Sequence, residues 1–386
     1  MEGLLVVLPF EARGGEAIAP GVLLAGLPLL RRTVLAAERA GLKPVVVGYP
    51  RFEVESSLAG TSAFLVAPDE PIPALSARRV VFLPMAAIAQ PDWLRGILGM
   101  PLEAEQLYVD GGSAAVVEVT DAGRVLAVAS RCRSLDEVVA ALRAVFRTVE
   151  RSFDGSGKFV LATSRDLPAA ETWLLRSLIK PSEGFMSRHF ERRVSLALTR
   201  RLCTTRITPN AITLVSIAVG LAGAPFFLAS APGYQLAGAL LFLTHSILDG
   251  CDGELARLKF LESRSGAVLD ICGDNLVHVA VFLCMAIGWS LDSRSPWPLL
   301  LGGIAVVSTL AIAAVVYSRG MRASPEGGPP SALARLADVA VYRDFIYLIL
   351  LLAATGKARW FLALTAVGAP VFLLVLARLG RKGSGA

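Results

Sequence analysis

Three long uncharged stretches most constrain how this 386-residue chain folds, and all lie in its second half. They cover residues 207–248, 295–318 and 360–377. Each is near or beyond the roughly 20 residues that a helix needs to cross about 30 Å of hydrocarbon. The first 180 or so residues instead mix charged and apolar side chains, as a soluble domain does. The sequence therefore predicts a soluble half followed by a multi-pass integral membrane half.

The apolar pattern of the second half predicts six transmembrane helices. They are expected at about 209–231, 234–257, 266–291, 296–318, 339–356 and 358–378. Basic residues concentrate in the loops 257–264 and 319–343 and at the C-terminus, which places these segments on the cytoplasmic side. Lys357 and Arg359 fall on the opposite side, against the pattern. We expect a cytoplasmic-membrane protein whose soluble domain and C-terminus are both cytoplasmic.

The first half alternates short apolar runs with helical patterns. Strands are expected at 4–9, 44–48 and 79–83, and the first two flank a helix that ends at Gly41. Ser134 and Glu137 form a capping box that predicts a helix running to about Glu150. This alternation favours an α/β layered domain with a mostly parallel sheet.

Three segments follow from these patterns: an α/β domain over 1–180, a juxtamembrane helix over 181–206 and an all-α membrane domain over 207–386. Residues 180–184 are the expected linker. Six arginines and one acid lie between 187 and 206, immediately before the first span. This charge predicts contact with anionic membrane lipid and gives no reason to expect nucleic acid. The segment is either an amphipathic helix at the membrane surface or a plain linker helix.

Four aspartates in a short segment carry the chemistry. The pattern is Asp249, Asp252, Gly253, Ala256, Arg257, Gly266, Asp270 and Asp274. Spacings of three and four place Asp249 with Asp252 on one helix face, and Asp270 with Asp274 on another. A short basic loop lets the two helices run antiparallel, so that the four carboxylates converge.

Such a cluster near hydrocarbon requires cations, because intramembrane charge costs several kcal/mol. Oxygen ligands select a hard ion, so we expect Mg²⁺ or Mn²⁺, in two copies that bridge a diphosphate. Gly250, Gly253 and Ala256 leave a bare strip on the same helix, where a ligand can lie against the backbone. Arg257 can then meet a phosphate.

Other functions remain open from the residues alone. The acids could form a solvated helix end, an ion-conducting cluster of a cation transporter, or part of a silent scaffold. The small residues at every third position and the four acids in register favour an enzyme. Release of a nucleotide product that depends on metal separates the enzyme from the transporter.

With every fixed position filled, the pattern resembles the signature of the CDP-alcohol phosphotransferases, from about residue 180 to the C-terminus. Residues 209–213, with the sequence PNAIT, belong to the resemblance. It implies six spans, a cytosol-facing cavity and CMP as leaving group, and it suggests a homodimer. It also implies that Asp249, Asp252 and Asp270 bind metal, that Asp274 binds metal and acts as general base, and that Asp249, Asp252, Gly253, Ala256 and Arg257 hold the CDP portion.

Two arginines are candidates for binding an anionic acceptor. Arg319 ends the fourth predicted span, and Arg343 precedes the short fifth one. Ordinary inside-positive flanking explains them about equally well. His245 and His278 each lie one turn from an aspartate of the motif, and packing is the favoured interpretation of both.

The first half resembles a sugar-nucleotidyltransferase domain without its chemistry. Gly21 and Leu27 stand where that family has lysines, and Met85, Val160 and Ala162 stand where it has acids. A further expected element, the glycine-rich loop, is reduced to two glycines at 14–15. We therefore expect an inactive domain.

The order of the two domains resembles bifunctional enzymes that make CDP-inositol and then di-inositol phosphate phosphate. This resemblance implies a CDP-alcohol donor and a phosphorylated alcohol as acceptor, in inositol-phosphate synthesis. A lipid product made in phospholipid synthesis is the other possibility. If the first domain were active, the chain would be bifunctional and make its own CDP-alcohol from CTP.

Overall fold

A computed structural model describes residues 3–9, 18–66, 77–179, 185–320 and 345–382, with the side chains of 319–320 and 379–382 left out. The described chain divides into two compact units, Met1–Arg176 and Ser177–Ala386. The expected linker at 180–184 lies outside the described residues.

The first unit is built on a seven-stranded sheet. The described strands of the unit, in chain order, are β1 (Gly3–Leu8), β2 (Leu23–Leu24), β3 (Leu27–Pro28), β4 (Leu42–Val47), β5 (Phe64–Val66), β6 (Arg79–Pro84), β7 (Ala87–Ala89), β8 (Gln106–Asp110), β9 (Ala114–Glu118), β10 (Arg147–Glu150) and β11 (Lys158–Val160). The main sheet has the order β10-β8-β9-β6-β1-β4-β5, and the other strands form two short antiparallel pairs, β2 with β3 and β7 with β11. Strand β1 pairs in parallel with β4 and β6, whereas β9 runs antiparallel to β6 and β8.

Six helices accompany this sheet among the described residues of the unit. They are α1 (Leu29–Ala40), α2 (Arg51–Leu58), α3 (Pro91–Gly99), α4 (Ala122–Ala129), α5 (Leu135–Arg143) and α6 (Leu167–Ser177). Helix α1 ends as expected at Gly41, whose φ of 84° is a left-handed conformation that glycine adopts without strain. Strand β1 is buried along its whole length, as a central parallel strand should be. The predicted α/β architecture is confirmed.

One predicted helix is too long. The helix begins as expected at Ser134, whose hydroxyl accepts a hydrogen bond from the backbone of Glu137. The expected capping box is only half formed among the described contacts, because the Glu137 side chain accepts its hydrogen bond from the backbone of Arg133, the residue before the cap. The helix ends at Arg143, however, and β10 follows where the helix was expected to continue. Pairing of β10 with β8 satisfies its backbone in the sheet, and this tertiary contact overrides the local helical pattern.

The second unit is helical. Its helices are α7 (Arg192–Leu202), α8 (Pro209–Gly223), α9 (Pro232–Lys259), α10 (Arg264–Ser293), α11 (Trp297–Gly320), α12 (Phe345–Ala354) and α13 (Ala358–Lys382). A 3-10 segment, Ala224–Leu228, extends α8. Helix α8 packs against both α9 and α10, and an added Cβ at Gly273 would lie 2.2 Å from the Ile217 side chain. Glycine at this point permits the close approach of α8 and α10.

Among the described residues, four helices are long and apolar enough to cross a membrane. They cover Pro209–Leu228, Arg264–Ser293, Trp297–Ser318 and Ala358–Arg378, and they make the second unit a membrane protein. Helix α9 has 28 residues but is not among the four, and α12 has only 10 residues. Part of the fifth predicted span lies outside the described residues. The count of six therefore stays a prediction.

Candidate active site

The acidic motif folds into a helical hairpin. Helix α9 ends at Lys259, and Phe260 takes a left-handed conformation with φ of 57° that reverses the chain. Ser263 then caps α10, since its hydroxyl accepts a hydrogen bond from the backbone of Gly266 at 3.0 Å. This turn brings the last part of α9 beside the first part of α10, which is where the four aspartates lie.

Three of the aspartates form one cluster. Oxygen atoms of Asp249, Asp270 and Asp274 all lie within 4.8 Å of one another. Asp249 is buried, and the other two are partly buried. The sequence predicted that acids from the two helices would meet, and these three do.

The fourth aspartate is held by the first membrane helix. The Thr213 hydroxyl on α8 donates a hydrogen bond to the buried carboxylate of Asp252. Sequence reasoning gave Thr213 no role. A signal was present, because Thr213, Ser216 and Gly220 lie at helical spacing and mark one face of an apolar helix that is turned toward protein.

A buried histidine also contacts the cluster. The Nε2 atom of His245 lies 3.5 Å from Oδ1 of Asp274. On the other side of the ring, Nδ1 lies 3.0 Å from the carbonyl oxygen of Ser216, which can only accept a hydrogen bond. His278 instead lies among Phe242, Phe282 and Phe345. The packing interpretation therefore fits His278, whereas His245 is a neighbour of the acidic cluster.

Two cavities adjoin the aspartates. The cavity that we call the arginine cavity has a volume of about 220 Å³. It is lined by Pro209, Asn210, Thr213, Asp252, Gly253, Ala256, Arg257, Leu261, Glu262, Ser263, Gly266, Ala267 and Asp270. A Cβ added at Gly253 would lie 3.3 Å from Nη1 of Arg257, so glycine leaves room for the guanidinium over the helix. The residues expected to hold CDP, apart from Asp249, thus share one space.

The other cavity, which we call the histidine cavity, has a volume of about 280 Å³. Its polar lining includes Asp249, Asp274, His245, Asn275 and Tyr317, and the rest is largely apolar. Asp249 and Asp274 therefore face one cavity, while Asp252 and Asp270 face the other. The acidic cluster therefore contributes side chains to both cavities.

The two acceptor candidates fall outside this description. Arg343 is not among the described residues, and the side chain of Arg319 is not described. Their chain neighbours are informative, because Tyr317 and Phe345 both line the histidine cavity. Each arginine is two residues away from one of them.

The chemistry of the cluster suits a divalent cation. Three carboxylates and no nitrogen or sulfur ligand make up the set, which hard ions such as Mg²⁺ and Mn²⁺ prefer. Carboxylates held this close inside a membrane unit are stable only if their charge is balanced. The residues present thus fit the metal that the sequence predicts.

Comparison with known proteins shows the family to which the chain is similar. Residues 206–376 match the family described as CDP-alcohol phosphatidyltransferase. A bifunctional IPC transferase and DIPP synthase from Rubrobacter xylanophilus is 30% identical over 342 residues, covering 74% of this chain and 77% of the relative. Its counterpart from Thermococcus kodakarensis is 31% identical over 213 residues, covering 53% of this chain and 47% of the relative. The chain therefore spans about half the length of that second relative.

A solved structure also resembles part of the chain. Phosphatidylinositol phosphate synthase from Mycobacterium tuberculosis, with CDP-DAG bound, is 22% identical and has a TM-score of 0.35. The superposition covers 48% of this chain and 93% of the synthase.

The acidic residues of the two paired helices lie between two cavities and could hold a divalent cation. The chain belongs to the CDP-alcohol phosphatidyltransferase family. The prediction of a CDP-alcohol phosphotransferase is thereby confirmed.

We expect Asp270 to be needed for turnover, because it belongs to the acidic cluster. Replacement by asparagine, Asp270→Asn, removes one anionic ligand from the cluster and should lower the turnover rate by about 10³ or more. Asp292→Asn, on the same helix, is the matched control, because Asp292 pairs only with exposed Arg359 at 3.2 Å among the described contacts. It should retain near-normal turnover. Normal activity of Asp270→Asn at saturating Mg²⁺ would rule out the site.

Proposed function

We propose that this chain transfers the phosphoalcohol group of a CDP-alcohol to the hydroxyl of an acceptor and releases CMP. The convergence of Asp249, Asp270 and Asp274 between the two cavities carries this proposal. Family membership supports the reaction class.

The donor's nucleotide and diphosphate belong in the arginine cavity. Arg257 supplies a fixed positive charge for a phosphate, and Gly253 with Ala256 lets the ligand approach the helix backbone. Asp252, oriented by Thr213, lies at the same wall. The reacting phosphorus is then placed beside the acidic cluster.

The acceptor hydroxyl belongs on the side of the histidine cavity, where Asp274 is reachable. In the reaction, the acceptor oxygen forms a bond to the phosphorus of the alcohol phosphate, and the bond from that phosphorus to the CMP oxygen breaks. The acceptor proton passes to the Asp274 carboxylate, and CMP leaves with the electron pair of the broken bond. His245, 3.5 Å away, restricts the position of that carboxylate.

Mg²⁺ or Mn²⁺, proposed as two ions, would neutralise the charge of the diphosphate and of the departing CMP when bound. Asp249, Asp252, Asp270 and Asp274 are the ligands that we assign to them. The four carboxylates lie on rigid helices rather than on loops. Any ions that they hold, and the phosphate groups bound to those ions, would therefore be kept in place.

Arg319 and Arg343 are proposed to bind an anionic group of the acceptor. Their neighbours Tyr317 and Phe345 at the histidine cavity support this assignment. A phosphorylated alcohol of the inositol-phosphate type is our first candidate for the acceptor, in line with the names of the relatives. A lipid product is the second candidate.

The site is proposed to open to the cytoplasm. The basic segments around 257–264 and 319–343 and the basic C-terminus support this orientation by the positive-inside rule. Both the soluble unit and the C-terminus would then be cytoplasmic. We further propose a homodimer as the working form.

The reaction is tested by measuring CMP release from the purified full chain. A panel of CDP-alcohols, including CDP-inositol and CDP-diacylglycerol, is combined with inositol phosphate and other polyol phosphates. We expect CMP from at least one pair, abolished by EDTA and restored by Mg²⁺ or Mn²⁺. If no donor yields CMP although the protein is folded, the proposed function is wrong.

The role of Asp274 is tested by Asp274→Asn. The amide cannot take the acceptor proton, so turnover should fall by about 10² or more while donor binding changes little. Donor affinity and turnover are measured on one preparation, with wild type beside it. Equal loss of binding and turnover would show that Asp274 is chiefly a metal ligand.

The soluble unit is proposed to make no CDP-alcohol. Met85 follows β6 at the carboxyl edge of the parallel strands, where ligands of open α/β sheets bind. It is fully buried and lies 3.2 Å from the Tyr49 hydroxyl. Burial, assisted by Glu53, raises the pKa of Tyr49, so its hydroxyl stays a neutral donor to the Met85 sulfur. Met85 and Tyr49 fill this position and offer no carboxylate to the metal ion of a metal–triphosphate complex.

The remaining positions support the same conclusion. Val160 in β11 is exposed yet apolar, and Ala162 uses its backbone to donate a hydrogen bond to Asp166. The glycines at 14–15 lie outside the described residues. The unit would then serve as a folded cap or as a dimerisation element.

This proposal is tested with CTP. The full-length Asp270→Asn variant, which should leave any CDP-alcohol unconsumed, is incubated with CTP, Mg²⁺ and inositol 1-phosphate. Pyrophosphate should not exceed the no-enzyme background, because cationic and acidic groups for triphosphate chemistry are missing at the positions where the related family has them. Sustained pyrophosphate release would instead make the chain bifunctional.

A further inference from the structure

A fully buried glutamate lies on the back of the helix that carries the first two aspartates. Glu254 follows Asp252 by two residues, which is about 200° around an α-helix. Its carboxylate therefore points away from the acidic cluster. A buried carboxylate needs partners, because desolvation of an ionised group is costly.

The partners of Glu254 all lie on α7. Arg192 donates to Oε1 at 2.6 Å, Ser195 donates to Oε1 at 2.6 Å, and Thr199 donates to Oε2 at 2.6 Å. The three donors recur at spacings of three and four, so they occupy one face of α7. Ser195 and Thr199 are both buried by this contact.

Further polar contacts lie between α9 and the chain at and just before α7. Ser246 on α9 donates to Glu191 at 3.3 Å, and the Cys251 thiol lies 3.5 Å from the backbone oxygen of Ser195. Val194 of α7 is 42% exposed on the outer side. Helix α7 is thus attached to α9 by directional hydrogen bonds, while Val194 is turned outward.

Directional contacts fix both the rotation and the sliding of one helix on another. Hydrophobic contacts alone are non-directional and tolerate small slips. Charge-assisted hydrogen bonds are short and geometrically strict. A metal site needs its ligands held to within about 0.5 Å, so rotation of α9 by a small angle would disperse the cluster.

We propose that Glu254 is a positioning residue, which locks α9 against α7 so that Asp249 and Asp252 reach their working positions. The inference rests on the proposed function for its effect on turnover. It makes α7, the helix that precedes the first candidate membrane span in the sequence, a part of the active-site scaffold. Glu254 itself touches neither substrate nor metal.

The test measures Mn²⁺ binding by electron paramagnetic resonance on the full chain, together with kcat and donor KM. Glu254→Gln keeps the shape and removes the charge. We expect its Mn²⁺ dissociation constant to rise by about tenfold and kcat to fall by about as much, with donor KM within about twofold. Thr199→Val removes one of the three donors with little change of shape, and it should give a smaller shift in the same direction, about threefold.

Gln235→Leu is the matched control on the same helix. Gln235 is buried and donates to the Ala229 carbonyl at 3.0 Å, and it accepts from the Ala358 backbone at 3.1 Å. It lies 14 residues before Asp249, about 21 Å along the helix. Its loss also removes buried hydrogen bonds, but Mn²⁺ affinity should stay within about twofold of wild type.

Two results would overturn the inference. One is wild-type Mn²⁺ affinity and kcat in Glu254→Gln. The other is an equal loss of affinity in Gln235→Leu, which would mean that buried polar contacts act only through general stability. If wild type binds Mn²⁺ but releases no CMP, the proposed function fails on its own, and the Mn²⁺ affinities still decide the role of Glu254.

Discussion

Mutual repulsion among carboxylates governs this structure. Asp249, Asp270 and Asp274 place oxygens within 4.8 Å of one another. At an effective dielectric constant of about 20, each pair of unit charges at this distance repels by about 3 kcal/mol. Water cannot fully screen this repulsion inside a membrane unit, so a bound cation is needed to neutralise the carboxylates. The repulsion that opposes the fold without a cation becomes the source of metal affinity.

Rigid packing on both sides of α9 holds the acids in place. On one side Thr213 of α8 donates to Asp252, and close packing of α8 on α10 at Gly273 brings the second pair of acids near. On the opposite side Glu254 binds α7 through three hydrogen bonds. Because the ligands lie on packed helices, little rearrangement is needed when a cation and a diphosphate enter. The site therefore depends on contacts between residues that are more than 30 positions apart in the sequence.

The sequence predicted what local periodicity and chemistry determine. Spacings of three and four put Asp249 beside Asp252 and Asp270 beside Asp274, and a short loop implied the hairpin. The roles of Thr213, His245 and Glu254 depend on which helix faces which, and no single-helix pattern contains that information. In the first unit, the strand at Arg147–Glu150 was predicted as helix because its sheet partner is distant in sequence. The inactive state predicted for that unit rests on missing residues, which sequence shows more readily than geometry.

We propose that these carboxylates form one divalent metal site between two cavities. The most direct test is anomalous X-ray scattering from crystals of the full chain grown with Mn²⁺ and CMP. The account predicts anomalous density between Asp249, Asp270 and Asp274, with CMP in the cavity beside Gly253 and Arg257. Density for Mn²⁺ at another place in the membrane unit, with these three carboxylates bound only to protein groups, would contradict it.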